Sequence, residues 1–164
     1  MNYVLIGLPG SGKSTLGVLL AKHLGYSFLD ADIVIQETTG RLLREIIEEK
    51  GPEGFIQVEN EIGCGINADR TVIATGGSAI LGREAMEHYW ENGKVIYLQM
   101  SFEEMERRVS SDYRRRGVVI REGQTLRDMY EERCKLYTIY ADFTIAEEQM
   151  TLDETLQKII TELS

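Results

Sequence analysis

Histidine, cysteine, proline and tryptophan are all scarce in this chain: two, two, two and one among 164 residues. The two cysteines, Cys64 and Cys134, have no metal-ligand spacing and no further cysteine to join. They exclude a cysteine metal site and a disulfide framework, and predict two buried or half-buried thiols in a reducing compartment. His23 and His88 fall on helical stretches away from any motif, which argues against a histidine base. Positive charge is short too: 18 Lys and Arg stand against 27 Asp and Glu, a net charge of −9. Nucleic acid is held by clustered Lys and Arg, so it is not an expected partner. A local positive pocket for one small anion is compatible with that balance. No stretch approaches the ~20 apolar residues of a membrane-crossing helix. The chain enters an apolar stretch at Asn2 with no basic segment and long apolar run before it, so no secretory signal is expected. A cytoplasmic monomer is the expectation.

What is present is a globular balance, 43% hydrophobic and 27% charged residues, in a length suited to one domain, 1–164, with no linker or repeat. Short apolar runs at 2–6, 27–30, 71–75 and 94–98 predict buried strands, and 142–145 a weaker one. Helical periodicity is read at 13–24, 32–38, 41–50, 53–66, 82–91, 102–110, 125–138 and 152–163. Strands alternating with helices imply an α/β fold, a parallel sheet covered on both faces. The run 32–66 is longer than a plain crossover and is expected to form an acceptor-binding helical subdomain. The stretch 111–123, dense in arginine, is a candidate lid.

Residues 7–14, Gly-Leu-Pro-Gly-Ser-Gly-Lys-Ser, fit the phosphate-loop pattern G-x-x-x-x-G-K-[ST] at every position, between a strand and a helix. Glycines let successive backbone N–H groups turn inward on a phosphate chain, and the helix N-terminus adds partial positive charge. Lys13 reaches the β- and γ-phosphates, and the Ser14 hydroxyl ligates magnesium. The nucleotide-binding set is Gly7, Leu8, Pro9, Gly10, Ser11, Gly12, Lys13, Ser14 and Thr15. Asp30 and Asp32 lie at the end of the second strand, where α/β proteins place ligands. One could hold magnesium through water and the other take the proton of an attacking hydroxyl; a plain helix cap is the structural alternative. Gly76, Gly77 and Ser78 follow the third strand, where backbone could approach a substrate closely. One of Arg114, Arg115 and Arg116 could stabilise transferring charge.

These residues resemble the shikimate kinase family over nearly the whole chain. The resemblance rests on the loop, the Asp30-x-Asp32 pair, Thr39-Gly40-Arg41, Phe55 with Glu59, the Gly76-Gly77 turn, and Arg133-x-x-x-Tyr137 with Ala141-Asp142. It implies the nucleoside-monophosphate-kinase-like fold, a five-stranded parallel sheet in the order 2-3-1-4-5. It further implies ATP as co-substrate with Mg2+ as cofactor, Asp30 aiding the metal through water, and Asp32 holding the acceptor hydroxyl. Gly77 and Arg133 would hold the acceptor, and Arg116 would be the lid arginine, because Arg116-Gly-Val-Val is most like the family's Arg-Pro-Leu-Leu.

Two positions depart from the family, and both touch the acceptor. Ile56 stands where the family has an arginine that clamps a carboxylate together with the Arg133 equivalent, and Ser78 stands where it has a third glycine. A charge-assisted hydrogen bond contributes ~1.5–3 kcal/mol, so the missing contact could cost roughly ten- to a hundredfold in affinity. Arg44 or Arg121 is a possible substitute. The expected activity is transfer of the γ-phosphoryl of ATP to a hydroxyl of a small anionic acceptor. A different hydroxy metabolite or a nucleotide as acceptor, and a nucleotide-binding module without catalysis, are the alternatives.

Overall fold

A computed structural model describes residues 1–109 and 118–164. The candidate lid arginines Arg114, Arg115 and Arg116 lie outside the described residues. Five parallel strands, β1 (Asn2–Ile6), β2 (Ser27–Asp30), β3 (Thr71–Ala74), β4 (Gly93–Gln99) and β5 (Phe143–Ala146), form one sheet in the order β2-β3-β1-β4-β5. Val4 of the central strand pairs with Ile73 on one side and Val95 on the other. All three side chains are buried, as a sheet covered on both faces demands.

Helices α1 (Lys13–Leu24) and α7 (Leu152–Leu163) cover one face. Their Leu16, Leu20 and Ile159 pack with Leu5, Val72, Ile96 and Ile145. The other face carries α4 (Arg83–Asn92), α5 (Phe102–Val109) and α6 (Leu126–Tyr140), whose Met86, Met105, Met129 and Tyr137 meet Val4, Ile6, Ile73 and Tyr97. The helix ends follow local chemistry. Thr125 and Asp128 exchange reciprocal hydrogen bonds of 3.0 Å at the start of α6, the side chain of each satisfying an N–H left open by the first turn. Gly25, at φ 68, closes α1 in the left-handed region, which glycine reaches without a Cβ clash.

Between β2 and β3 run α2 (Ala31–Thr39) and α3 (Leu43–Cys64). The expected division near Gly51-Pro52 is a bend within α3, where Gly51 sits at φ 73 because proline cannot continue the hydrogen-bond ladder. A third apolar cluster lies here: Ile35, Leu43, Ile46, Phe55, Ile56 and Val119. The thiol expectation needs one correction. Cys134 is half-buried, but Cys64, the last residue of α3, is exposed. No helix of the described residues is long and apolar enough to cross a membrane.

Candidate active site

The carboxyl edge of β1 leads straight into the phosphate loop. Lys13 opens α1 and is buried, its Nζ donating to Gly7 O at 2.7 Å, Leu8 O at 2.9 Å and Ser11 Oγ at 3.3 Å. Burial lowers its pKa to about 8, against the upward pull of Asp32 and Glu147. A negative ligand in the loop would restore the full charge. Ser14 Oγ donates to Asp30 Oδ2 at 2.7 Å, while Asp30 Oδ1 accepts the backbone N–H of Asp32 at 2.9 Å. Asp30 is thus both the N-cap of α2 and the hydrogen-bond partner of the loop serine. Asp32 lies beyond the end of β2, which stops at Asp30. It occupies the first turn of α2, brought back toward Asp30 by the cap itself.

Lys13, Ser14, Thr15, Asp32, Gly76, Gly77, Ser78 and Arg133 line one cavity of about 230 Å³, with Pro9, Gly10 and Gly12 of the loop. Burial and the neighbouring Asp30 raise Asp32 to about 6, against the pull of Lys13. A Cβ at Gly76 would lie 2.6 Å from Asp32 Oδ1 and 2.7 Å from Glu59 Oε2, so any larger residue would displace these carboxyl groups. Arg133 is fully buried, and its Nη1 donates to Gly77 O at 3.0 Å; Nη2 donates to Val119 O. Tyr137, one helical turn later, also donates to Gly77 O at 2.9 Å. The glycine turn is therefore held by α6, and Arg133 Nε has no hydrogen-bond partner among the described residues.

Ile56 is not among the described residues on the cavity wall. It is buried in the cluster with Phe55 and Val119. Neither proposed substitute reaches the cavity. Arg44 lines a separate one with Val118 and Ile120. Arg121 is taken up by Glu53 and by both oxygens of Glu132 at 2.9 Å.

Several residues had no assigned role in the sequence reading. Glu59 and Tyr137 entered only as parts of motifs. Thr75 lines the cavity and donates its hydroxyl to Leu5 O at 2.8 Å. Arg108 donates to Gly10 O at 2.9 Å and, with Arg107, Glu104 and Glu147, walls a second cavity of about 590 Å³. Burial pushes Glu147 up to about 7, opposed by Arg108 and Lys13. The i, i+4 spacing of Arg133 and Tyr137 on one helix face was the available signal for that pair; for Glu147 there was none.

Known proteins match this arrangement. A family model described as shikimate kinase matches residues 9–164. The shikimate kinase of Nostoc punctiforme is 35% identical, over 99% of this chain and 90% of that protein. That of Thiobacillus denitrificans is 38% identical, over 88% and 80%. Among solved structures, the shikimate kinase of Acinetobacter baumannii in complex with shikimate superposes with a TM-score of 0.86 at 34% identity, covering 99% of this chain and 92% of that one. The Aquifex aeolicus shikimate kinase gives 0.84 at 28% identity, covering 99% and 96%.

Proposed function

Since the chain belongs to the shikimate kinase family and is an ATP-dependent kinase of that type, we propose that it moves the γ-phosphoryl of ATP to a hydroxyl of shikimate or a closely similar hydroxy acid. The observation that carries this reading is the convergence of Lys13, Asp32 and Arg133 on one cavity at the carboxyl edge of the sheet. Lys13 and the loop amides hold the β- and γ-phosphates. The acceptor oxygen attacks the γ-phosphorus, its proton passes to Asp32, and ADP leaves. Arg133, Gly76, Gly77 and Ser78 surround the acceptor. The nucleoside end of ATP extends past Gly10 toward the cavity walled by Arg107 and Arg108. Magnesium suits the corner formed by Ser14 and Asp30, because both offer hard oxygens and lie 2.7 Å apart, leaving coordination positions for water and phosphate. Bound there, the ion supplies charge neutralisation between the β- and γ-phosphates. ADP release with shikimate as the varied acceptor tests the reading; wild-type protein that releases no ADP above its background rate would overturn it.

The acceptor carboxylate is held here by one guanidinium, that of Arg133, in place of two. Ile56 shares its cluster with Val119, which lines the cavity, so the longer side chain of arginine should reach it. Ile56→Arg should therefore lower the Michaelis constant for shikimate by ~10–100-fold, the value of one charge-assisted contact. Ile56 and Glu59 are three residues apart on α3 and both buried, so the new guanidinium would also meet the Glu59 carboxyl group and favour its charged form. Wild-type turnover already saturating at micromolar shikimate would sink this account of Ile56.

For the lid, the sequence motif alone supports Arg116 as the residue acting on transferring charge. Arg116→Ala should lower turnover by ~10²-fold or more, as removal of an arginine from developing phosphoryl charge does, while Arg114→Ala and Arg115→Ala stay near wild type. Equal losses from all three would favour a diffuse basic surface.

A further inference from the structure

Glu59 carries a chemistry that the transfer reaction does not use. It is buried on α3 directly behind the glycine turn. Ser78 Oγ, on the cavity wall, lies 2.6 Å from Glu59 Oε1. Glu59 Oε2 and Asp32 Oδ1 both border the space that Gly76 leaves free, 2.7 and 2.6 Å from where a Cβ would stand. Among the described residues no Lys or Arg forms an ion pair with it. The residue one turn earlier on the same buried side is Ile56, which can offer no charge.

Resting on the reading that Asp32 faces the acceptor, we propose that Glu59 is a positioning residue that works as an uncharged carboxylic acid, holding Ser78 and Asp32 in place, and that its ionisation expels the anionic acceptor. A buried carboxyl group without a cation is far cheaper to keep neutral than charged. A second carboxylate beside Asp32 would also repel a hydroxy acid, whose own carboxylate enters the same cavity.

The groups facing Glu59 are Asp32 from α2, Lys13 from α1, Tyr89 from α4, Arg133 and Tyr137 from α6, and Ser78 from the turn. Burial raises Glu59 from 4.5 to about 8; the Ser78 hydrogen bond opposes this, Asp32 adds to it, and Arg133 and Lys13 pull downward. The folded protein therefore holds a proton that the unfolded chain releases near 4.5. Its stability contribution is intact below that pH and is lost as pH rises toward 8.

Steady-state kinetics at saturating MgATP, with shikimate varied from pH 6 to 9, test this on wild type, Glu59→Gln and Glu59→Met. Shikimate does not titrate in this range, and Lys13 would show itself in the constant for MgATP. The wild-type Michaelis constant for shikimate should rise about tenfold per pH unit above the Glu59 midpoint, the slope of a single ionisation. Glu59→Gln, neutral at every pH and able to bond Ser78, should keep turnover and abolish that rise. Glu59→Met should lose turnover tenfold or more while the constant for MgATP stays unchanged. An unaltered alkaline rise in Glu59→Gln overturns the proposal. Carbon-13 NMR of glutamate carboxyls, with the Glu59 signal assigned by its loss in Glu59→Gln, reads the charge without any substrate. Titration near pH 4–5 also overturns it. If wild type phosphorylates no hydroxy acid, the proposed function falls, and the NMR titration still decides the charge of Glu59.

Discussion

Lys13→Ala should yield a folded protein that transfers no measurable phosphoryl group. The Lys13 ammonium is the one side-chain cation that the phosphate loop itself supplies. It is already aimed by three bonds to Gly7 O, Leu8 O and Ser11 Oγ. Its removal takes away preorganised charge where the γ-phosphoryl group changes hands, and a methyl group cannot substitute. Folding survives because two effects oppose each other. Holding the charged ammonium in a buried site, with its pKa lowered from 10.5 to about 8, disfavours the folded state by ~3 kcal/mol. The hydrogen bonds it makes, at ~1.5–3 kcal/mol for each bond to a charged group, offset that cost. The melting temperature should thus shift by no more than ~4 °C, the equivalent of ~1 kcal/mol at this size. There is also a pH signature. Between about 8 and 10.5 the unfolded chain binds the lysine proton and the folded one does not, so wild-type stability rises with pH across that window. The rise should vanish in Lys13→Ala. Melting curves and ADP release check both halves; near-normal turnover with any acceptor would remove the phosphate-loop assignment altogether.

Asp32→Asn should lower turnover by ~10²–10⁴-fold, the usual contribution of a positioned general base, with nucleotide affinity changed little. Asparagine keeps the shape and the place in the first turn of α2 but cannot accept the acceptor's proton. Asp32 lines the same cavity as Gly76, Gly77 and Arg133, whereas the loop serine bonds Asp30 and not Asp32. That division predicts separate kinetic effects: Asp32→Asn acts on turnover, and Asp30→Asn on the constant for MgATP. Unchanged turnover with the true acceptor would take Asp32 out of the mechanism, and a collapse in ATP affinity would move it to the metal.

Local patterns carried the strands, helices and phosphate loop because each is decided within a few residues. The apolar run of β1, the glycines of the loop and the leucine stripe of α1 require no knowledge of the rest of the chain. Boundaries moved by a residue or two, as at β4, which runs Gly93–Gln99 rather than 94–98. The acceptor side was read less completely because it is assembled from distant segments. Glu59, Ser78 and Asp32 come together only when α2, α3 and the glycine turn converge, and no spacing in the chain announces that. Arg133 was picked out by motif, but its two backbone acceptors, Gly77 O and Val119 O, belong to segments far from it in sequence. The surface position of Cys64 was likewise decided by which way α3 faces, a tertiary fact.

Asp30 divides its two oxygens between the loop serine and the first turn of α2, so one carboxylate joins the phosphate loop to the helix that bears Asp32. Any displacement of Ser14 would therefore pass, through two hydrogen bonds, to the helix that bears Asp32. An enzyme wired this way should bind its two substrates with positive synergism.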